Sequence, residues 1–172
     1  GVVGIVARML KVPDGTIRFL VQGTERVRIG DYVTETPYLV ARIESLPDKV
    51  EPSQELEALT RNVQSTFTEI IEEIPYLPEE LQLAVTNVED PSALSHLIAG
   101  ALRIPTEEKQ ELLEEVDVAR RLRRIARILA GELELVRIGS RIQSEVQGEI
   151  DRAQREFFLR QQLKAIQEEL GE

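Results

Sequence analysis

The sequence predicts an α+β protein in which a small β-rich part is followed by a set of helices and ends in one long helix. All eight prolines lie at or before Pro105, and none follows it. Proline disrupts helix interiors and sheet ladders alike, so the chain is divided into short elements early and is uninterrupted late. Apolar residues recur at every second position in the first part and at helical spacing in the rest.

Residues 1–50 predict four short strands. Apolar residues alternate with others over 3–9, 17–21, 26–29 and 38–44, which is the pattern of a half-buried strand. Between the first two runs, Pro13-Asp14-Gly15 predicts a turn, because Pro presets φ and Gly accepts positive φ. Gly23-Thr24 separates the next two runs. Short strands separated by turns indicate a meander or a small barrel.

Residues 51–116 predict four helices that carry most of the acidic charge. The first covers 54–74 and ends before Pro75, and a short second helix begins at Pro78. Asp90 is the predicted N-cap of the third helix, and Thr106 that of the fourth, which runs to about Val116. With three basic and fifteen acidic residues, this segment has a net charge of −12.

Residues 117–172 predict one long helix with Asp117 as its N-cap. The segment contains no proline, and Gly131, Gly139 and Gly148 are tolerated within a helix at about 1 kcal/mol each. A helix of this length spans roughly 84 Å. That is much longer than the core of such a chain requires, so we expect part of the helix to extend beyond the core.

An apolar stripe runs along this helix, formed by Ile142, Val146, Ile150, Ala153 and Phe157. The repeat of eleven residues keeps the stripe on one face with little supercoil. An apolar stripe this far from the core requires a cover. We therefore predict that it is an oligomerisation surface, which packs on a helix of another subunit or of chain that follows.

Two groups of apolar residues are candidates for binding other proteins. The first group is Met9, Leu10, Val12 and Pro13, at a strand end and turn. The second group is Phe157 and Phe158, which cannot share one helix face because neighbouring residues are about 100° apart. For both groups ordinary packing, in the core or between helices, is the alternative.

The sequence contains no catalytic constellation and no metal site. It has no Cys and a single His, His96, which excludes disulfides, thiolate sites and two-histidine metal sites. It has neither a phosphate-binding loop nor a nucleophile elbow. No apolar run is long enough for a membrane span, and the net charge of −10 argues against a general nucleic-acid binder. We expect His96 to be a packing or surface residue, and the protein to be cytoplasmic.

Five arginines fall within eight residues near the start of the long helix. We call Arg120, Arg121, Arg123, Arg124 and Arg127 the arginine cluster. One interpretation is a surface for nucleic acid or anionic lipid. The other is that the cluster faces the acidic helices before it, while Leu122, Ile125 and Leu129 dock the same helix on their apolar side.

Several stretches of this chain resemble the N-terminal domain of the Lon protease family. They are GIVA at 4–7, PDGT at 13–16, VQG at 21–23, ERVRI at 25–29, EKQELLE at 108–114 with DV at 117–118, and QREFFLRQQLKAIQEELGE at 154–172. The last is the most specific, although the family often has Tyr where this chain has Phe157. The resemblance extends over essentially the whole chain.

Lon proteases are ATP-dependent serine proteases that form homohexamers and degrade misfolded and regulatory proteins. The resemblance implies a PUA-like β-rich subdomain at 1–50, a helical subdomain at 51–116, and a long helix at 117–172 that leads toward an ATPase module. It also implies that this segment binds unfolded or misfolded proteins and supports hexamer assembly without catalysing a reaction. The Ser-Lys dyad and the site for ATP and Mg²⁺ would lie outside it, and strands upstream of Gly1 would complete the β-rich subdomain.

Two alternatives stay open at this stage. The arginine cluster favours a nucleic-acid-binding module, since PUA-like folds bind RNA and some Lon proteins bind DNA. The long helix would also suit a free-standing coiled-coil adaptor.

Overall fold

The computed structural model describes residues 1–74 and 79–171 and has the predicted α+β fold. Three strands precede five helices. The strands are β1 (Val2–Lys11), β2 (Ile17–Thr34) and β3 (Val40–Ser45), and the helices are α1 (Gln54–Glu73), α2 (Glu79–Asn87), α3 (Pro91–Ala101), α4 (Thr106–Glu114) and α5 (Val118–Leu170). The predicted breaks at Pro75 and Pro78 lie outside the described residues.

The strands form one antiparallel sheet in the order β1-β2-β3. The prediction of four strands was wrong, because the second and third predicted strands are one continuous strand, β2. Val3 pairs with Glu25 and Gly4 pairs with Gly23, so Thr24 is an extra residue in the ladder. The Gly23-Thr24 step is therefore a β-bulge within one strand and not a break between two strands. The first half of β2 pairs with β1, and the second half pairs with β3.

The sheet is a single layer with apolar side chains exposed on both faces. Of the strand residues, all of which the structure describes, only Val27 is buried. The alternation in the sequence predicted a half-buried sheet, but no helix of the described chain covers a face of it. A sheet face needs a second layer to become buried.

Helix starts follow local capping chemistry. The side chains of Ser53, Asp90 and Asp117 each accept a hydrogen bond from a backbone N–H in the first turn of α1, α3 and α5. The prediction for α4 was wrong by one residue, because Pro105 precedes the helix and Thr106 is its first residue, without a side-chain cap. The proline ring fixes φ at Pro105, which is −53°, and its ψ of 149° is not helical, so the helix begins only at the next residue.

The hydrophobic core lies entirely among the helices. Residues of α1, α3 and α5 form its centre, and Leu122, Ile125 and Leu129 of α5 are completely buried in it. The long helix has 53 residues, which is about 80 Å, as predicted. Only its first few turns pack on the core, and most side chains after Leu133 are exposed. No helix among the described residues is long and apolar enough to cross a membrane.

Candidate functional site

The β1–β2 turn presents the first group of candidate residues at one end of the sheet. Met9 and Leu10 are 55% and 53% exposed, Pro13 is exposed, and Val12 is half-buried. Core packing, the alternative for this group, therefore does not describe Met9 or Leu10 in this chain. The turn itself is well defined, because Gly15 has a φ of +85° and the Val12 N–H donates to the Thr16 carbonyl at 2.9 Å.

A side-chain interaction further orders this turn. The Asp14 carboxylate accepts hydrogen bonds from the Thr16 hydroxyl at 2.6 Å and from the Thr16 N–H at 2.8 Å. These two bonds lower the pKa of Asp14 from its ordinary value. The loop between the strands is thus held in one conformation next to Pro13.

The strand register places Met9 and Leu10 on opposite faces of the sheet. Directly opposed residues of an antiparallel pair share a face, and Met9 opposes Phe19 while Leu10 opposes Arg18. The face of Met9, which we call the hairpin face, is a set of exposed apolar side chains. Its apolar members are Val6, Met9, Ile17, Phe19 and Val21, and the exposed Lys11, which opposes Ile17, lies on the same face at its turn end. The other face combines Leu10 and Leu20 with Arg8 and Arg18.

Sequence reasoning missed most of the hairpin face. The alternation of Ile17, Phe19 and Val21 was visible, but it indicated a strand that the protein itself covers. The alternating pattern of a strand is the same whether or not a second layer of structure packs on it, so the sequence around these residues does not indicate that this layer is missing.

The predicted oligomerisation stripe on α5 is exposed along its whole length. Ile142, Val146, Ile150 and Phe157 are 45–66% exposed, and Ala153 is exposed as well. Leu135 and Ile138, beyond the predicted stripe, continue it toward the core at helical spacing and are also exposed.

Beyond Phe157 the apolar surface of α5 moves to a different face. Leu159, Leu163, Ile166 and Leu170 form a second exposed stripe. At about 100° per residue it is turned by roughly a third of a turn or more from the first stripe. Phe158, which is 61% exposed, points away from both stripes, by roughly 110° or more from the middle of each, and belongs to neither.

The arginine cluster does not form a single cationic surface. Arg121 is completely buried, Arg123 donates from Nε to Glu55 Oε1 at 3.1 Å, and Arg124 forms an ion pair with Glu111. The hydrogen bond that Arg123 donates to the Glu55 carboxylate raises the pKa of Arg123. Arg120 and Arg127 are exposed. These contacts agree with the interpretation that the cluster faces acidic residues of the preceding helices.

His96 lies at the edge of the polar group around Arg121, and its Nε2 is 3.0 Å from Arg121 Nη1 and 3.4 Å from Asp48 Oδ2. Burial and the neighbouring Arg121 charge lower the pKa of His96. A neutral ring can accept the Arg121 N–H at Nε2. Among the described residues there is no group of three potential metal ligands around this histidine or elsewhere.

Comparisons with known proteins agree with this architecture. A profile of the ATP-dependent protease La (LON) substrate-binding domain matches residues 1–131. The chain is 43% identical over 172 residues to the Lon protease of Dictyoglomus thermophilum, with 100% of this chain and 22% of that protein covered. It is 41% identical to Lon protease 2 of Herpetosiphon aurantiacus, with 100% of this chain and 21% of that protein covered.

A solved structure shows the same fold. The N-terminal domain of the Mycobacterium avium complex Lon protease aligns with a TM-score of 0.64 at 24% identity, over 78% of this chain and 69% of that one. This chain spans about a fifth of the length of the curated relatives it matches. With the profile matching more than half of its residues, the chain belongs to the Lon protease family and contains that family's substrate-binding domain.

Proposed function

We propose that this chain recognises unfolded or misfolded proteins as the non-catalytic N-terminal region of an ATP-dependent Lon protease. The observation that carries the proposal is the hairpin face, where five apolar side chains of β1 and β2 are exposed together. Contiguous exposed apolar surface in a folded protein marks a binding site. Unfolded chains differ in sequence but all expose apolar side chains, so an apolar surface can bind many of them.

The hairpin face suits this role better than the opposite face of the sheet. On the opposite face Arg8 and Arg18 lie between Leu10 and Leu20, and their hydrated charges oppose the binding of apolar segments. On the hairpin face the charge of Lys11 lies at the turn end, so the apolar side chains from Val6 to Phe19 remain contiguous. Phe157 and Phe158 provide a second candidate contact far along α5, and both are more than 60% exposed.

The experiment replaces Met9 with Asp and measures the affinity of the chain for a fluorescently labelled, permanently unfolded protein by anisotropy. Burying a large apolar side chain contributes about 1.5–3 kcal/mol, so we expect roughly 10-fold to 100-fold weaker binding. Leu10→Asp places the same charge on the opposite face and serves as the matched control. If Met9→Asp binds as tightly as the unchanged chain, or no more weakly than Leu10→Asp, the hairpin face is not the binding surface.

We also propose that the α5 stripe supports assembly of the parent homohexamer by packing on α5 of another subunit. The stripe from Leu135 to Phe157 is continuous, and most of its side chains are large and about half exposed. Ile150→Asp should weaken the assembly of the parent protein in sedimentation velocity. Ser144→Asp, on the opposite side of the same helix, is the control. An Ile150→Asp protein that assembles like this control contradicts the role of the stripe.

The protease chemistry of the parent is assigned to parts of the protein beyond this segment. The residues here do not suit ATP and Mg²⁺, because the sequence has no phosphate-binding loop and the described residues contain no group of three potential metal ligands. We propose that the ATPase site and the Ser-Lys dyad lie elsewhere in the parent chain.

The two alternatives are less well supported. Four members of the arginine cluster already contact carboxylates, which leaves less free positive charge for DNA. Salt-dependent DNA binding that Arg123→Glu and Arg124→Glu abolish would favour the nucleic-acid alternative. A free-standing coiled-coil adaptor would not account for the match of residues 1–131 to a substrate-binding domain.

A further inference from the structure

The sheet and the helices of this chain meet through a compact group of charged side chains. Among the described residues, no strand packs broadly on a helix. The connecting segment, residues 46–53, instead runs between them and carries Asp48. Beside it the Lys49 N–H donates to the Val116 carbonyl at 2.8 Å, and the Val118 N–H donates to the Lys49 carbonyl at 3.1 Å.

Asp48 forms contacts both with the sheet and with the helices. Its carboxylate forms ion pairs with Arg26 of β2 and with Arg121 of α5, and it accepts a hydrogen bond from the Ser92 hydroxyl of α3. The side chains are secluded, since Arg121 is 0%, Arg26 is 8% and Asp48 is 17% exposed. In such surroundings charge-assisted hydrogen bonds are strong and directional.

The two arginines also hold the backbone between α4 and α5. Arg26 Nη1 donates to the Leu113 carbonyl at 3.0 Å and to the Glu115 carbonyl at 3.2 Å, and Arg121 Nε donates to the same Glu115 carbonyl at 3.0 Å. The carbonyls at the end of α4 carry the negative end of the helix dipole. They therefore help to compensate the second positive charge, which one carboxylate cannot balance.

We propose that Asp48 is the positioning residue that fixes the direction of the sheet relative to α5. Arg26 reaches from the sheet and Arg121 from the helix, and among the described residues Asp48 is the one side chain that both of them contact. Without its negative charge, two buried guanidinium groups would face each other, and their repulsion would also draw Arg26 away from the Leu113 and Glu115 carbonyls. The sheet would then rotate about residues 47–48, because the Leu46 N–H is bonded to the sheet and Lys49 is bonded to the helical part. The value of this rigidity for substrate capture rests on the proposed function, but the positioning itself does not.

The test measures the distance between the two parts by pulsed electron spin resonance. The chain has no cysteine, so spin labels can be placed at Arg18→Cys in the sheet and Ala130→Cys in α5. We expect a single narrow distance peak for the unchanged chain and loss of that peak in Asp48→Asn. Glu44→Gln is the matched control, because it removes only the exposed ion pair between Glu44 and Arg28 on the same sheet.

A narrow peak in Asp48→Asn, with normal helical circular dichroism, overturns the proposal. If Asp48→Asn loses its helical signal, Arg26→Gln decides instead, because it releases the sheet and leaves the Asp48–Arg121 pair within the helices. A broad distribution of label-to-label distances in Arg26→Gln supports the proposal, and a narrow distribution overturns it. The measurement is made without substrate, so its result does not depend on whether the hairpin face binds unfolded chains.

Discussion

Replacing Arg121 with Gln should destabilise this chain severely, whereas the same replacement two residues later should have little effect. Arg121 and Arg123 belong to the same arginine cluster and the same helix. They differ in surroundings, since the side chain of Arg121 is 0% exposed and that of Arg123 is 43% exposed. The pair of substitutions therefore separates the effect of burial from that of residue type.

The expected loss in the free energy of unfolding follows from the hydrogen-bond partners of Arg121 in the folded chain. Its guanidinium donates to Asp48, to Ser95 Oγ at 3.0 Å and to the Glu115 carbonyl at 3.0 Å. Removing one partner of a buried ion pair costs about 3–5 kcal/mol. We expect a value of about 3 kcal/mol, at the lower end, because Asp48 keeps Arg26 and Ser92 as partners. Glu55, in contrast, is 62% exposed and returns to water when Arg123 is replaced, and surface ion pairs contribute little.

Urea denaturation followed by circular dichroism at 222 nm measures both variants. With a slope of about 2 kcal/mol per molar urea, a loss of about 3 kcal/mol lowers the midpoint by about 1.5 M. Arg123→Gln should leave the midpoint nearly unchanged. Equal midpoints for the two variants would refute the conclusion that Arg121 is a buried, paired charge and that Arg123 is a surface one.

Three further predictions concern the pH dependence, the core and a helix cap. The free energy of unfolding should decrease as the pH falls below about 6.5, because the pKa of His96 is lowered in the folded chain and the unfolded chain takes up the proton first. When the urea midpoint is plotted against pH, His96→Gln should flatten this part of the curve. Ile125→Ala, at a completely buried position, should cost about 2–5 kcal/mol in urea denaturation, while Leu135→Ala, at an exposed one, should stay within about 0.5 kcal/mol. Ser53→Ala should cost about 1 kcal/mol, measured in the same way, because it removes the hydrogen bond that the Leu56 N–H donates to Ser53 Oγ at 3.1 Å.

Asp48 makes the stability of the folded chain depend on pH in a more acidic range than His96 does. Burial by itself raises the pKa of Asp48, but the hydrogen bonds from Arg121 and Ser92 outweigh burial and hold that pKa well below its usual range. The stability that this carboxylate contributes is therefore complete above its unfolded pKa, about 3.9, and is lost as the pH falls further. The loss of stability due to His96 comes first on acidification, and that due to Asp48 follows.

Features that depend on neighbouring residues were predictable from the sequence. The caps at Asp90 and Asp117 and the turn at Gly15 were predicted from side chains within a few residues of each element, and all three are confirmed. The bulge at Thr24 was missed because only the pairing with β1 distinguishes it from a turn. Likewise, the sequence did not indicate that Arg121 is the buried member of its cluster, because its partner Asp48 is 73 residues away.

Apolar periodicity indicates that a side chain is destined for burial, but it does not indicate what covers it. Leu122, Ile125 and Leu129 have their cover within the chain, since α5 packs on α1 and α3 there. Phe19 of the hairpin face and Ile150 of the α5 stripe show the same kind of periodicity and are 57% and 45% exposed. For these exposed members of the apolar pattern, the described residues provide no cover. The first turns of α5 are just as apolar, but they are buried within the chain. The hairpin face and the α5 stripe are exposed, and for this reason the proposed functions are assigned to them.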